Sequence, residues 1–418
     1  MSLSCRAARI AAAFAIAAFS ILISSHLRAQ SSILPDRFFY RNGINFVAGD
    51  SSFSMNLRFR IQSLATFETA PRTDDVIALQ QMNWITRRMR LRMNGFAFNP
   101  QWTYAIQLSF TRGDMDWDNV NYPNILRDAN ISYSPTNDLT FMMGLAKLPG
   151  NRERVISSGD LQFVDRSLLN RTFNIDRDFG FQARYSPTIG GVQVVAQGAL
   201  SSGDGRNVVN ITKSLASTAR VGIYPFGAFT NNGDMFLGDL EFEKTPKLYI
   251  AGVAHHNPGA IRTGGQIGEF FNPSYNGNGI PADSITRTMD TYFVDGMFKY
   301  QGFMLFGEWA KRVCEKPSVT VGSTTRLIYS GTGLNLQASY LWTNHFETAL
   351  RYTHIAPDAA SELVNRKQQQ ITVCNTYYLM RHRIKLQLDA TQISTQTAAL
   401  ADTYNKNYLI RFQTEFGI

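Results

Sequence analysis

The chain of 418 residues has no long hydrophobic run after residue 30. A membrane-spanning helix needs about 20 consecutive apolar residues, so a helical membrane protein is excluded. Cysteine is scarce as well, since the chain contains only Cys5, Cys314 and Cys374 and has no CxxC pair. Neither a disulfide framework nor a cysteine-based metal site is indicated, and the sequence leaves open whether Cys314 and Cys374 pair.

The first residues have the order of a secretory signal. Arg6 and Arg9 precede an apolar run, and Ala29 is the small residue at the expected cleavage point. We therefore predict a cleaved signal peptide at residues 1–29, with Gln30 as the first mature residue. The alternative, an uncleaved anchor, is disfavoured because the run is shorter than the roughly 20 residues of a spanning helix.

Positive charge prevails although charged residues make up only 17% of the chain. The formal net charge is +9 and the pI is near 9.4. The predicted signal carries three arginines, so its removal leaves 9 − 3 = +6. For an exported chain with its basic residues on strands, we expect small anions as partners rather than nucleic acid, and no cofactor.

The most informative stretch covers residues 84–98 and reads WITRRMRLRMNGFAF. Its Arg88, Arg90 and Arg92 alternate with apolar Met and Leu residues. In a strand, this spacing places the guanidinium groups on one face and the apolar side chains on the other. Three arginines facing lipid would cost on the order of 10 kcal/mol, so in a membrane barrel they must face a wet lumen.

A basic amphipathic helix is the rival interpretation of the same stretch. At helical spacing Met89 and Met93 share a face, but Leu91 falls among the arginines and the apolar stripe breaks up. Other segments repeat the strand pattern. Residues 53–67 place Arg58 and Arg60 opposite an apolar set, and the final YLIRFQTEFGI resembles the closing strand of bacterial outer-membrane proteins.

Strand count and domain organisation follow from the spacing of these segments. About 390 mature residues, divided into strands of about 10 residues with alternating short turns and long loops, give about 16 strands. We predict an all-β fold, an antiparallel transmembrane β-barrel over residues 46–418, after an N-terminal lead-in at residues 30–45. The polar stretches 231–234 and 257–283 are typical of external loops.

Two patterns in the sequence resemble metal sites, but for each of them an interpretation without a metal is favoured. Asp114, Asp116 and Asp118 form a DxDxD run, but the run lacks the glycine and the final glutamate of a calcium loop, and we expect a solvated acidic loop. The His255–His256 pair stands alone in a Pro/Gly-flanked stretch predicted as loop, so we predict no metal site. His345, His354 and His382 lie on predicted strands without a nucleophile motif, and we expect no enzyme.

Four pieces of the chain, in order, resemble the phosphate-selective porin O and P family. They read RRMRLRMNG, LRDANISYSPTNDLTFMMGLAKLPGNRERVISSGDLQFVDRSLLNRTFNIDRDFGFQARYSP, GLNLQASYLWTNHFETALRYTHIAP and NTYYLMRHRIKLQLDATQIS. The second piece is the most specific. Its markers are the GLAKLP strand end, Ser157 and Ser158, Phe163, and the Asp165–Ser167 and Arg177–Gly180 runs.

The resemblance implies a 16-stranded outer-membrane barrel, usually trimeric, that passes phosphate, polyphosphate or other small anions. It also implies an inward-folded constriction loop at about Pro149–Asp178 and an arginine ladder leading to a lysine-rich constriction. The candidates for the ladder are Arg58, Arg60, Arg88, Arg90 and Arg92. The candidates at the constriction are Lys147, Arg152, Arg154, Arg166, Arg171 and Arg177.

Lys147 is the one lysine in the region that matches the constriction. Strand parity places it with Phe141, Met143 and Leu145, so only a break of register at Pro149 would turn it inward. The loop itself is nearly balanced, with arginines against the acids Glu153, Asp160, Asp165, Asp176 and Asp178.

Two functions therefore remain open after the sequence alone. The first is a passive, anion-preferring porin, in which closely spaced guanidinium groups replace the water of a passing anion. In such a porin, the lumen arginines have an alternative role, which is to pair with acidic loop residues and hold the constriction loop in place. The second function is a barrel with a plugged lumen that serves as a surface-binding or scaffold module through its long loops.

Overall fold

The computed structural model describes residues 36–70, 78–111, 113–114, 124–206, 208, 214–272, 285–343 and 345–418. The predicted signal peptide lies outside these residues. No helix among the described residues is long and apolar enough to cross a membrane.

The described residues form 21 strands, numbered here in chain order. Sixteen of them pair antiparallel with their neighbours, and β21 pairs with β3 to close the ring. They are β3 (Ser54–Thr69), β4 (Leu79–Ala97), β5 (Asn99–Ser109), β6 (Leu126–Tyr133), β7 (Leu139–Lys147), β8 (Arg177–Tyr185), β10 (Val192–Ser201), β11 (Ala216–Tyr224), β12 (Lys247–Ala260), β13 (Arg287–Tyr300), β14 (Phe303–Val313), β17 (Gly331–Thr343), β18 (Phe346–Pro357), β19 (Gln368–Met380), β20 (Ile384–Gln396) and β21 (Tyr404–Gly417).

Five short strands complete the set. The β1 (Arg37–Tyr40) and β2 (Ile44–Val47) hairpin pairs with β3, so the predicted lead-in is β-structured from residue 37. The two-residue β9 (Thr188–Ile189) pairs with β10, and β15 (Ser318–Val321) with β16 (Thr324–Leu327) forms a separate hairpin.

The alternation predicted from the sequence appears in the barrel wall. In β21, Gln413 and Glu415 are buried, whereas Ile410, Phe412 and Phe416 are exposed. An outer face that meets lipid gains from apolar side chains, and a polar interior suits the strands of a membrane barrel. The predicted antiparallel barrel of about 16 strands is therefore confirmed.

The barrel has a turn end and a loop end. At the turn end, connections such as residues 301–302 and 381–383 are short. One turn-end connection is long: residues 225–246 join β11 to β12, and this stretch is named the β11–β12 segment below. It contains residues 231–234, so their predicted placement in an external loop is wrong. Of the stretch 257–283, residues 257–260 end β12 and residues 273–283 lie outside the described residues.

The longest described connection at the loop end is the β7–β8 segment, residues 148–176. It contains two short helices, α1 (Arg152–Val155) and α2 (Leu168–Phe173), and Ser167 caps α2 by accepting a hydrogen bond from Asn170 N. Side chains from at least seven strands around the ring hydrogen-bond to this segment. Among them are Arg60, Arg90, Arg220, Arg312, Arg351, Thr376 and Lys385.

The hydrophobic core lies between the β7–β8 segment and one side of the barrel wall. Leu169, Phe173 and Ile175 of the segment pack with Val253 and Phe293 of β12 and β13. Such contacts are those expected of a segment folded into the lumen. They also leave the opposite wall, formed by β3 to β6, free of this apolar filling.

Cys314 and Cys374 are both buried thiols. Cys314 is 2% exposed and Cys374 is 1% exposed, and neither forms a disulfide. The question that the sequence left open is therefore answered: they do not pair.

Candidate functional site

The five predicted ladder arginines lie on two adjacent strands. The β3–β4 register places Arg58 directly opposite Arg92 and Arg60 directly opposite Arg90, while Gln62 is opposite Arg88. Along each strand, alternate residues repeat about every 6.6 Å. Like charges directly opposite each other are destabilising, so this arrangement requires negative charge nearby, from the protein or from a solute.

The protein supplies that negative charge for Arg88 and Arg90. Arg88 Nη2 donates to Asp165 Oδ1 at 2.8 Å, and Arg90 forms a close ion pair with Asp114. Burial raises the pKa of Asp165, but Arg88 and two further arginines outweigh it and hold this pKa well below its usual range. Arg88 and Arg90 therefore fit the alternative role, in which lumen arginines pair with acidic loop residues.

Arg60 has a mixed environment. Its Nη2 donates to Ser158 Oγ at 2.9 Å, and its Nη1 lies 3.5 Å from Glu415 Oε1. A carboxylate and a β7–β8 segment hydroxyl therefore share this guanidinium.

Arg58 and Arg92 differ from the other three arginines. Arg58 donates to the neutral amide of Asn94 at 3.0 Å, and Arg92 is exposed and has no hydrogen bond or ion pair with another described residue. A guanidinium in this condition retains its donors for an anion.

Asp114 corrects one prediction. We expected a solvated acidic loop, but Asp114 is only 8% exposed and lies 3.2 Å from Arg127 in addition to its pair with Arg90. Burial alone raises the pKa of its carboxyl, and the two arginines outweigh burial and lower it far below the usual value. Asp116 and Asp118 lie outside the described residues.

Lys147 is turned towards the β7–β8 segment in spite of its strand parity. Its Nζ donates to Val155 O at 2.8 Å and to Ile156 O at 3.1 Å, and the side chain lines a cavity. Lys147 is the last residue of β7 and pairs with Arg177, the first residue of β8. The pairing between the two strands ends here, so it no longer fixes the direction of the Lys147 side chain.

Three of the predicted constriction arginines lie close to Lys147. Arg154 is paired with Asp176, and Arg166 donates to Glu153 O at 2.8 Å. Burial lowers the pKa of the Arg166 guanidinium well below its usual value, and neighbouring Arg154 lowers it further. Arg177 lies 2.8 Å from Asp128 Oδ1.

Two other predicted residues do not join this group. Arg152 is buried against the ring of Tyr249, 4.0 Å from its centroid, and pairs with Asp234 of the β11–β12 segment at 3.3 Å. Arg171 is exposed and lines neither of the cavities described next. The structure therefore gives Arg152 an anchoring position and Arg171 a surface position.

Two cavities follow the β3–β6 wall. The loop-side cavity has a volume of about 680 Å³, and the turn-side cavity has a volume of about 550 Å³. Five residues line both of them, which joins the two volumes along the wall. They are Arg90, Arg92, Gln107, Ser157 and Asp160.

The loop-side cavity is strongly cationic. Ten cationic side chains and four carboxylates line it, an excess of six positive charges. The cationic residues are Arg87, Arg88, Arg90, Arg92, Arg127, Lys147, Arg154, Arg166, Arg177 and Arg206, and the acids are Asp114, Asp128, Asp160 and Asp176.

The turn-side cavity is cationic to a smaller extent. Six arginines and three carboxylates line it. The arginines are Arg58, Arg60, Arg90, Arg92, Arg381 and Arg383, and the acids are Asp160, Glu241 and Glu415.

Sequence reasoning missed several of these residues. Arg127 is the unpaired residue of a bulge in the β5–β6 pairing, and Arg206 lies in a loop-end connection, so neither belongs to an alternating pattern. Arg381 and Arg383 lie in the β19–β20 turn on either side of His382, and only this spacing could have indicated a shared position.

The histidine pair also differs from its prediction. His255 and His256 lie in β12 rather than in a loop; His255 is buried against Thr218 at 2.9 Å, and His256 contacts Asp290 at 2.6 Å. Among the described residues, no group of three or more His, Cys, Asp or Glu side chains could hold a metal ion.

Residues 56–223 match the family model of phosphate-selective porin O and P. This part of the chain is therefore similar to that family. The match covers the arginine ladder, the β7–β8 segment and the strands up to β11, so the family resemblance predicted from the sequence is confirmed. Among curated proteins, no sequence matches this chain.

Solved structures support the porin fold. The outer membrane channel DcaP of Acinetobacter baumannii superposes with a TM-score of 0.52 at 12% identity, covering 87% of this chain and 98% of that chain. An anion-selective porin from Comamonas acidovorans gives 0.51 at 11%, covering 88% and 100%. OprB of Pseudomonas putida gives 0.53 at 7%, covering 87% and 94%. The family match over residues 56–223 and the barrel fold together support an outer-membrane porin.

Proposed function

We propose that this porin gives small solutes passive, anion-preferring diffusion across the outer membrane of a Gram-negative bacterium. The observation that carries the proposal is the pair formed by Arg58 and Arg92, which lie opposite each other across two strands without an acidic partner among the described residues. Arg92 also lines both cavities, so a solute that passes between them meets its guanidinium.

Passage of an anion along this wall has a simple physical basis. An anion loses part of its water in a narrow pore, and several guanidinium groups in sequence replace those contacts without a single deep trap. Bidentate hydrogen bonds from arginine suit the oxygens of phosphate and carboxylate. The β7–β8 segment narrows the pore in this proposal, because it supplies Ser157 and Asp160 to both cavities.

Phosphate and polyphosphate are the expected solutes on grounds of family, and a trimer is the expected assembly on the same grounds. The anion-selective porin from Comamonas acidovorans is consistent with anion preference in this fold. We keep the general anion preference as the main proposal, because Lys147 is the one lysine among the described residues that line the two cavities.

Conductance in planar bilayers tests this proposal. We expect the purified porin to conduct in chloride and expect added phosphate to reduce the chloride current, because both anions would occupy the same arginines. A channel that conducts without any effect of phosphate would retain the porin and remove phosphate as a solute. A folded protein that does not conduct would favour the plugged, surface-binding barrel.

A further inference from the structure

The β11–β12 segment is the long connection at the turn end, and six of its residues are buried. It contains a 3₁₀ helix, Thr230–Met235, and its Leu237, Asp239 and Glu243 are 1%, 0% and 2% exposed. A connection that needed only to join two strands could be a short turn, as between β13 and β14. The buried residues therefore indicate that this segment packs onto something inside the turn end.

The barrel wall anchors this segment. Lys299 of β13 is 1% exposed, and its Nζ donates to Gly233 O at 2.7 Å, to Phe236 O at 2.9 Å and to Gly238 O at 2.5 Å. One ammonium group thus satisfies three backbone carbonyls of the segment. At the same end, Gly302 N donates to Asp239 Oδ2 at 2.7 Å.

The segment also meets the β7–β8 segment. Leu237 N donates to Asp160 O at 2.9 Å, and Arg152 Nη1 lies 3.3 Å from Asp234 Oδ2. The two connections enter from opposite ends of the barrel, so a backbone hydrogen bond between them requires that both reach into its interior.

One side of the segment lines the turn-side cavity. Asn231, Phe236 and Glu241 contribute to that cavity together with Arg58 and Arg92 of the wall. Glu241 pairs with Arg381 of the β19–β20 turn and accepts a hydrogen bond from Asn231 at 3.0 Å. The arginines of the wall and the segment therefore bound the same volume.

We propose that the β11–β12 segment forms a second constriction, on the turn side of the pore, and that Glu241 limits anion preference there. The proposal rests on the porin function above and adds a selectivity-determining element that the arginine ladder and the β7–β8 segment do not include. Lys299 is the positioning residue that holds the segment in place.

Glu241→Gln tests the charge part of the proposal. The variant removes a carboxylate from the turn-side cavity, so we expect the anion-to-cation permeability ratio to rise by about twofold. Glu269→Gln is the matched control, because Glu269 pairs with Arg326 at 3.1 Å and lines neither cavity. Equal ratios for both variants and wild type would overturn the role of Glu241.

Lys299→Met tests the position of the segment. Loss of three hydrogen bonds should release the segment, and we expect higher open-channel current noise and a conductance that is higher by about twofold. Lys311→Met is the control, because Lys311 lies exposed on the adjacent β14. Unchanged conductance and noise in folded Lys299→Met would overturn the second constriction.

A shortened variant supplies an independent measurement. Replacing residues 228–243 with a short Gly-Ser turn should raise conductance further, provided that heat-modifiable mobility on gels shows a folded barrel. If this variant does not fold, the two point variants still decide the proposal. A wild-type protein that does not conduct would contradict the porin function itself, whereas a conducting wild type with unaffected variants would contradict only the second constriction.

Discussion

The guanidinium of Arg88 lies 2.8 Å from the carboxylate of Asp165, which joins the β4 wall to the β7–β8 segment. Arg92 lies on the same face of the same strand and has no such partner among the described residues. Some ladder arginines therefore contact the β7–β8 segment, and in our proposal the others remain available to a solute. The first predictions separate these two roles.

Arg58→Gln and Arg92→Gln should each lower anion preference. Both residues face the turn-side cavity without an acidic partner in the described structure, so we expect the permeability ratio for anions to fall roughly twofold in each variant, with folding unaffected. Reversal potentials under a salt gradient provide the measurement. Arg171→Gln is the control, because Arg171 lines neither cavity, and an equal fall in that variant would contradict the assignment.

Asp165→Asn should act on stability instead. The change leaves Arg88, which is 5% exposed, without its counter-charge and weakens the contacts of Asp165 with Arg87 and Arg411. We expect a loss on the order of 1–3 kcal/mol in the free energy of unfolding. Denaturant unfolding in detergent measures it, with the exposed Asp138→Asn as control. Wild-type stability in Asp165→Asn would show that this ion pair does not anchor the segment.

Asp204 should make the free energy of unfolding depend on pH. It is fully buried, neither carboxylate oxygen has a hydrogen-bond partner in the described structure, and burial, aided by Asp178, raises its pKa to about 7. In the unfolded chain this pKa is near 3.8. Between these values the folded state binds a proton that the unfolded state lacks, so the free energy of unfolding should fall as pH rises through this window.

Asp204→Asn removes this dependence. We expect the variant to unfold a few degrees higher than wild type at about pH 8 and at nearly the same temperature at about pH 4, because the buried carboxyl is neutral there. The exposed Asp402→Asn should match wild type at both pH values. A destabilised Asp204→Asn protein at about pH 8 would indicate that the carboxylate is stabilised in the folded state.

The cysteines should behave as two separate buried thiols. We expect a maleimide to label Cys314 and Cys374 only after unfolding, and a reducing agent to leave the unfolding temperature unchanged. Mass spectrometry of labelled peptides measures both sites. A disulfide-linked peptide from the folded protein would contradict the structure.

Much of the fold could be predicted because a membrane barrel leaves a direct record in the sequence. Alternation at Arg88, Arg90 and Arg92 identified both the strand and its wet face, since a two-residue period has no equivalent in a helix. The family pieces located the β7–β8 segment. The strand count followed from the length that a membrane imposes.

The partners of the site residues could not be predicted in the same way. The register that places Arg58 opposite Arg92 depends on how two strands align, and Asp165 reaches Arg88 from 77 residues away. Strand parity predicted that the Lys147 side chain would point to the same side as Phe141 and Met143. Lys147 is the last residue of β7, so the alternation of side chains no longer determines its direction. Residues 231–234 resembled an external loop because a polar stretch of this composition can occur at either end of a barrel.

The most direct test of the account is the reversal potential of wild-type porin in a planar bilayer under a gradient of potassium chloride. The excess of arginines along the β3–β6 wall predicts a potential whose sign corresponds to chloride passing more readily than potassium. A sign that corresponds to potassium passing more readily would contradict the account.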